Sequence, residues 1–387
     1  MANFHGSPVK VSSSERRNLV KTLRRLIHGE VLRSVGFVTL GFLSLFFFFD
    51  FVEEVQAVGR HAGTGYTLVH ALTYVALMIP SHLYELMPIA VLIGTIFVMS
   101  RLAQSSEFTI LRTSGLDPWR ALKTLLLLGL AFVALTFAIG DYVSPTADRT
   151  AQLLKARYTG RITIGQTGAW LKERQDDGQF AVNVGELTPD GHLRGVRIFE
   201  FDKRGLLVSV MRADSATLEE ADAWQLNQVK RTDFPQAGAN SSAIARAQMA
   251  SLRWPNRLSA EMVSAALLKP GNMSTYDLFQ YIGHLQQNAQ TAQRYEIEFW
   301  RKVFYPLSCL VMVVLALPFA YLHFRSGSIT GYVFGGVMAG ISFFLLNNVF
   351  GYIGNLQNWQ PWLTAALPGL IYSLVSLTAF GWLVLRR

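Results

Sequence analysis

Long apolar runs lie toward both ends of the chain, and between them hydrophobic and polar residues alternate over short distances. The first run extends from Val31 to about Phe51. Roughly 20 helical residues cover about 30 Å, the thickness of a bilayer's hydrocarbon layer, so this run predicts a membrane span. A second run, from about Leu68 to Met99, is longer than one perpendicular span needs. Pro80 and Pro88 each lack a backbone donor and predict a kink or a break within it. His82 and Glu85, between those prolines, are expected to face other helices, water or the interface rather than lipid. A third span, from Trp119 to about Ile139, is expected to end before Asp141 and Pro145. Three more follow at Phe299 to about Leu322, Ile329 to about Ile353, and Trp362 to Leu385.

The middle region has another period. Val196 to Phe201 and Leu207 to Arg212 show partial two-residue alternation, separated by turn signals such as Asp177-Gly178 and Lys203-Arg204-Gly205. This pattern predicts strands of an antiparallel sheet with one covered face. Ser274 to Arg294 then reads as a polar helix leading back to the membrane. Ahead of the first span, Ser12–Ser14 with Glu15 predicts the cap of a short basic helix lying along the membrane surface. Leu102 to Arg120 reads as a short amphipathic helix, a stop at Gly115, and a new helix capped by Asp117 with Pro118 in its first turn.

Composition sharpens this picture. Apolar residues make up 51% of the 387, only 16% are charged, and most of the 26 phenylalanines crowd the two apolar regions. The net charge of +9 would ordinarily raise nucleic acid as a partner. Its basic residues instead sit beside the hydrophobic runs, so no nucleic-acid partner is expected. The leader holds Arg16, Arg17, Lys21, Arg24 and Arg25, the stretch from Val55 to Val69 has only Arg60, and the chain closes on Arg386-Arg387. Basic loops stay cytoplasmic, so six spans with both termini cytoplasmic place the middle domain on the far side. The single cysteine, Cys309, permits no internal disulfide and reads as a small buried side chain. No secretory signal is apparent, so the first apolar run is expected to remain as an anchor.

Enzymatic signatures are missing. There is no phosphate-binding G-x-x-x-x-G-K-[ST] run, no H-E-x-x-H or close His/Cys cluster, and Ser326-Gly327-Ser328 lacks the strand-to-helix setting of a nucleophile elbow. Neither catalytic nor metal residues are expected. In the fifth run, Gly336 and Gly340 form a small-xxx-small pair suited to close helix contact, or reflect the general glycine enrichment of membrane helices.

Three stretches carry a resemblance: Leu102 to Glu107 with Arg112-Thr113-Ser114-Gly115, Phe299 to Ser308, and Gly340 to Phe344. Together with the paired triple-span layout, they resemble the LptF/LptG family of lipopolysaccharide export permeases, nearest its LptG branch. That resemblance implies an α-helical polytopic inner-membrane protein with six transmembrane helices and an inserted periplasmic β-jellyroll-like domain. It would be organised as a cytoplasmic leader over 1–30, spans one to three over 31–145, the periplasmic domain over 146–294, and spans four to six over 295–387. It implies lipopolysaccharide as the cargo and a partner permease LptF. It further implies a cytoplasmic ATPase dimer LptB that binds the ATP, and a membrane-anchored LptC leading to a periplasmic bridge. No cofactor is expected in this chain itself. A coupling helix over 102–112 would dock Glu107 and Arg112 on the ATPase, although by its own chemistry Glu107 reads as a solvated residue. The first and fifth spans would form the partner interface. The substrate cavity would be lined by Phe46, Phe49, Asp50, Glu53 and Arg60. The acidic residues depart from the basic headgroup contacts that the family leads one to expect. Rival readings are the sister subunit LptF with roles exchanged, a membrane scaffold that transports nothing, and a lipid-modifying enzyme.

Overall fold

A computed structural model describes residues 13–105, 118–159, 169–256, 258, 263, 270–321 and 329–382, apart from 61–62, 64, 176–177, 189–191, 220–222 and 236–242. The first helix, α1, is continuous over Ser13–Arg60. At 1.5 Å per residue its 48 residues extend roughly 70 Å, more than twice the hydrocarbon thickness. The expected separate surface helix is therefore joined to the first span. No proline divides them, and Gly29 alone costs only about 1 kcal/mol of helix propensity.

The second helix, α2, runs unbroken over Leu68–Gln104 with Pro80 and Pro88 inside it. Of the kink or break expected at those prolines, the break does not occur. In its most apolar stretch 83% of residues are buried, against 11% in α1, so α2 is the central helix on which the others pack. Tertiary burial outweighs a penalty of about 3 kcal/mol per interior proline. Gly94 permits the tightest approach to α1: a Cβ there would meet the Val35 backbone nitrogen at 2.8 Å.

The third span also departs from expectation. Helix α3, Pro118–Ala138, passes through a π-helical turn at Ile139–Val143 into α4, Ser144–Thr159. It does not stop at Asp141 or Pro145. The Ser144 N–H bonds the Ile139 carbonyl, the wide π pattern. The next bond in that register would run from Pro145 to Gly140, and proline has no N–H to give. The Lys302 ammonium donates to the Gly140 carbonyl at 2.9 Å instead, so a side chain completes the turn.

Among the described residues, seven antiparallel strands make one sheet in the order β1-β2-β4-β5-β6-β7, with β3 beside β4. They are β1 Ala169–Gln175, β2 Gly178–Val184, β3 Glu186–Leu187, β4 Leu193–Phe201, β5 Leu207–Glu219, β6 Ala223–Asp233 and β7 Ala245–Pro255. Alternation is clearest in β1, where every second residue from Ala169 to Glu173 is buried. The buried face gathers Val182, Ile198, Leu226 and Trp224, whose indole donates to the Leu258 carbonyl at 2.9 Å. Each main strand pairs with its neighbour in sequence, a meander; jellyroll crossovers do not occur among the described strands. Since α4 occupies 144–159, the sheet begins well after residue 146.

Helix α5, Thr275–Gln287, closes the sheet's core with Leu278, Tyr281 and Leu285. It starts as its sequence predicts: Ser274 and Asp277 cap each other's backbone N–H groups, and the Asp141 carboxylate accepts from Thr275 N at 2.7 Å. The return to the bundle is a bent pair, α6 Gln293–Phe304 and α7 Ser308–Ala316, set at 46° around Pro306. The span expected from Phe299 to about Leu322 is thus bent. Helices α8, Ile329–Leu356, and α9, Pro361–Phe380, complete the bundle. Among the described residues, five helical segments are long and apolar enough to cross a membrane, and the bent pair makes a sixth when counted as one.

Candidate functional site

At the end of the bundle that joins the sheet, the acidic residues of α1 are held by neighbouring elements. Asp50 meets His82 of α2 at 2.6 Å, and the Phe46 ring stacks on His82 with centroids 5.1 Å apart. Glu54, 4% exposed, accepts from Lys155 of α4 and from the Tyr66 hydroxyl, each at 2.9 Å. Burial first, and then the Glu54 carboxylate as acceptor and negative neighbour, push the Tyr66 hydroxyl's pKa well up, so it remains a donor. Tyr158 and His70 bond at 2.7 Å beside it. These contacts tie the ends of α1, α2 and α4 together. Two carboxylates that would repel a phosphate thus have partners inside the chain.

Of the sequence-predicted cavity residues, Phe46 and Phe49 are exposed at 37% and 59%, Glu53 and Arg60 are exposed, and Asp50 is half-buried. Phe48, Phe49 and Val52 continue an open apolar surface along α1. Another runs along α8 through Phe334, Met338, Ile341 and Leu345. Both helices pack on α2. Gly336 and Gly340 lie on the opposite side of α8 from this surface, against Ile96 and Ile89 of α2. A Cβ at either position would come within 2.9 Å of those isoleucines. Their close contact is therefore within the chain and leaves the exposed face of α8 open. Glu107 and Arg112, with most of the segment 102–112, lie outside the described residues.

A second polar group inside the bundle went unassigned in the sequence. Asp148 of α4 accepts from Ser81 at 2.6 Å, and Arg301 of α6 donates to Glu298 at 2.9 Å and to Asn348 of α8 at 3.0 Å. Its signal was available: ionisable residues inside apolar segments are costly and need partners. Which residues partner one another depends on helices far apart in sequence. Cys309 is buried beside Thr136 and is free.

Comparison with known proteins fits this architecture. Residues 25–385 match the family described as "Lipopolysaccharide export system permease LptF/LptG". The chain is 28% identical over 368 residues to the lipopolysaccharide export system permease protein LptG of Escherichia coli K12, covering 94% of this chain and 98% of that protein. It is likewise 28% identical over 372 residues to LptG of Haemophilus influenzae, covering 95% and 99%. With a match running from the first span to the last, the chain belongs to the LptF/LptG family of lipopolysaccharide export permeases.

Proposed function

We propose that this chain is the LptG-type permease subunit of an ATP-driven exporter, which extracts lipopolysaccharide from the inner membrane and passes it to a periplasmic bridge. The observation that carries this reading is the match to LptG proteins over nearly the full length of both chains. The geometry adds support. Two open apolar faces, on α1 and α8, flank the central α2, while the charges beside them pair inward. Such faces offer apolar surface to acyl chains or a partner's helices, since large exposed apolar patches mark interaction sites.

In this reading the bent pair counts as one span, giving six, with both termini cytoplasmic and the meander sheet periplasmic. The partner permease LptF completes a cavity against the first and fifth spans, and LptC docks at the periplasmic side. An LptB dimer binds and hydrolyses ATP, and its closure moves the coupling segment 102–112 that carries Glu107 and Arg112. A cavity that holds lipid in one state and releases it in the other performs transport only if the two states differ in affinity. Within it, Phe46 and Phe49 supply apolar surface and Arg60 supplies positive charge, whereas Asp50 is spent on His82.

The test is reconstitution of the chain with LptF, LptB and LptC in proteoliposomes loaded with lipopolysaccharide. ATP should drive release to a soluble periplasmic acceptor, and photo-crosslinkers replacing Phe46 or Phe49 should capture lipopolysaccharide during turnover. Glu107→Ala should weaken LptB association or uncouple hydrolysis from release. Absence of ATP-dependent release in the intact complex would overturn the assignment.

A further inference from the structure

A cavity of about 240 Å³ lies among α2, α4, α6, α8 and the turn at 270–272. Its rim includes Phe344, Asn348 and Gly271, all exposed, and its wall carries both signs of charge. Several of its polar groups have capacity to spare. Glu85 makes no side-chain hydrogen bond or ion pair among the described residues, and Asp148 uses one oxygen on Ser81. Lys302 spends one proton on Gly140, and Arg301 bonds Glu298 and Asn348 with donors left over. Asn347, only 7% exposed, lines the same space with no partner among the described residues.

Spare donors and acceptors of both signs on one wall give a charged, hydrogen-bonding ligand partners on several sides. A bare metal ion fits poorly, since no three His, Cys, Asp or Glu side chains converge to hold one among the described residues. The volume, about eight waters' worth at roughly 30 Å³ each, suits a small organic group with separated charges.

We propose that this cavity binds a zwitterionic ammonium–phosphate group, the chemistry of a phosphoethanolamine headgroup. The ammonium lies toward Glu85 and Asp148, and the phosphate toward Arg301 and the Asn347 amide. Phe344 on the rim continues into Leu345 and Val349, which are 56% and 48% exposed on a membrane-length helix. That apolar track favours a lipid source, with acyl chains along α8 and the headgroup inside. The inference goes beyond the export reading and does not depend on it.

The experiment uses the full-length chain in nanodiscs of equal phosphatidylethanolamine and phosphatidylglycerol, followed by native mass spectrometry of retained lipid. Phosphatidylethanolamine should be retained over phosphatidylglycerol by about fivefold or more. Glu85→Gln and Asn347→Leu should each lower that retention by about fivefold while the melting temperature holds. Should Asn347→Leu fail to fold, the near-isosteric Glu85→Gln carries the test. Added free phosphoethanolamine separates the sources: displacement of the lipid, or a raised melting temperature, shows that a soluble zwitterion also fits. Lipid retained against excess competitor shows that the membrane supplies it, and either result supports the site. Equal retention of the two lipids without response to free phosphoethanolamine, or retention unchanged in the variants, overturns it and leaves a cavity holding only water.

Discussion

Glu54 shows how one buried charge organises its surroundings. Its carboxylate is 6% exposed at the side chain, and Lys155, 34% exposed, is its cationic partner. Removing one member of a buried pair strands the other, a loss of about 3–5 kcal/mol for full burial. Partial exposure of Lys155 brings the expected loss for Lys155→Ala to about 2 kcal/mol. Thermal unfolding in detergent should show a lower midpoint, with Glu54→Gln/Lys155→Met recovering much of it. An unchanged midpoint for Lys155→Ala would show that Tyr66 alone satisfies Glu54. His284, in the sheet-facing helix α5, gives a prediction in pH. Burial pushes its pKa below the ordinary 6.5, so the unfolded chain binds the proton more readily than the folded one. The neutral imidazole's contribution is complete above pH 6.5 and is lost as pH falls from there through the lowered folded value. His284→Gln should flatten the fall in stability over that window. An equal slope in the variant would assign the effect to other groups.

At the scale of elements, the turn at Ile139–Val143 depends on three contributions. Pro145 withholds the next N–H, Lys302 replaces it, and Gly140 leaves room for the Tyr84 ring. Gly140→Ala would put a Cβ into that ring, an overpacking cost of about 1–3 kcal/mol. Gly36→Ala, in α1 with no neighbour within 4 Å, should instead be neutral or gain up to about 1 kcal/mol of helix propensity. Comparing the two variants by thermal unfolding tests whether the turn needs glycine for space. Equal effects would refute that account. The same turn links membrane and sheet, because Asp141 within it accepts from the first residue of α5.

For the whole molecule, the charge pattern makes a prediction about sidedness. Cys309 is buried, so single introduced cysteines provide clean labels. Lys203→Cys, exposed between β4 and β5, should react with an impermeant maleimide added from the periplasmic side. Ser13→Cys should react only after permeabilisation. Labelling of both from one side would reverse the topology argument. Helix α1 packs mainly on α2 and leaves one long face open, the arrangement expected of an element awaiting a partner or lipid.

Hydrophobic length and period, which are local properties, were readable from residues alone. They placed the apolar runs, the alternating middle region, the start of the polar helix near Ser274 and the start of the last helix close to where the structure has them. The helices continue through Pro80, Pro88 and Pro145 because proline's cost is local while the compensation comes from packing and, at Gly140, from a lysine 162 residues away. The partners of Asp50 and Glu54, the inward side of Gly336 and Gly340, and the cavity at Asn347 depend in the same way on contacts between distant helices. Sequence by itself determined which segments suit lipid and which suit a sheet, since transfer from water depends on each segment's own composition. Tertiary structure decided which charges are spent and which remain free, because ion pairing and desolvation depend on distances that only folding sets.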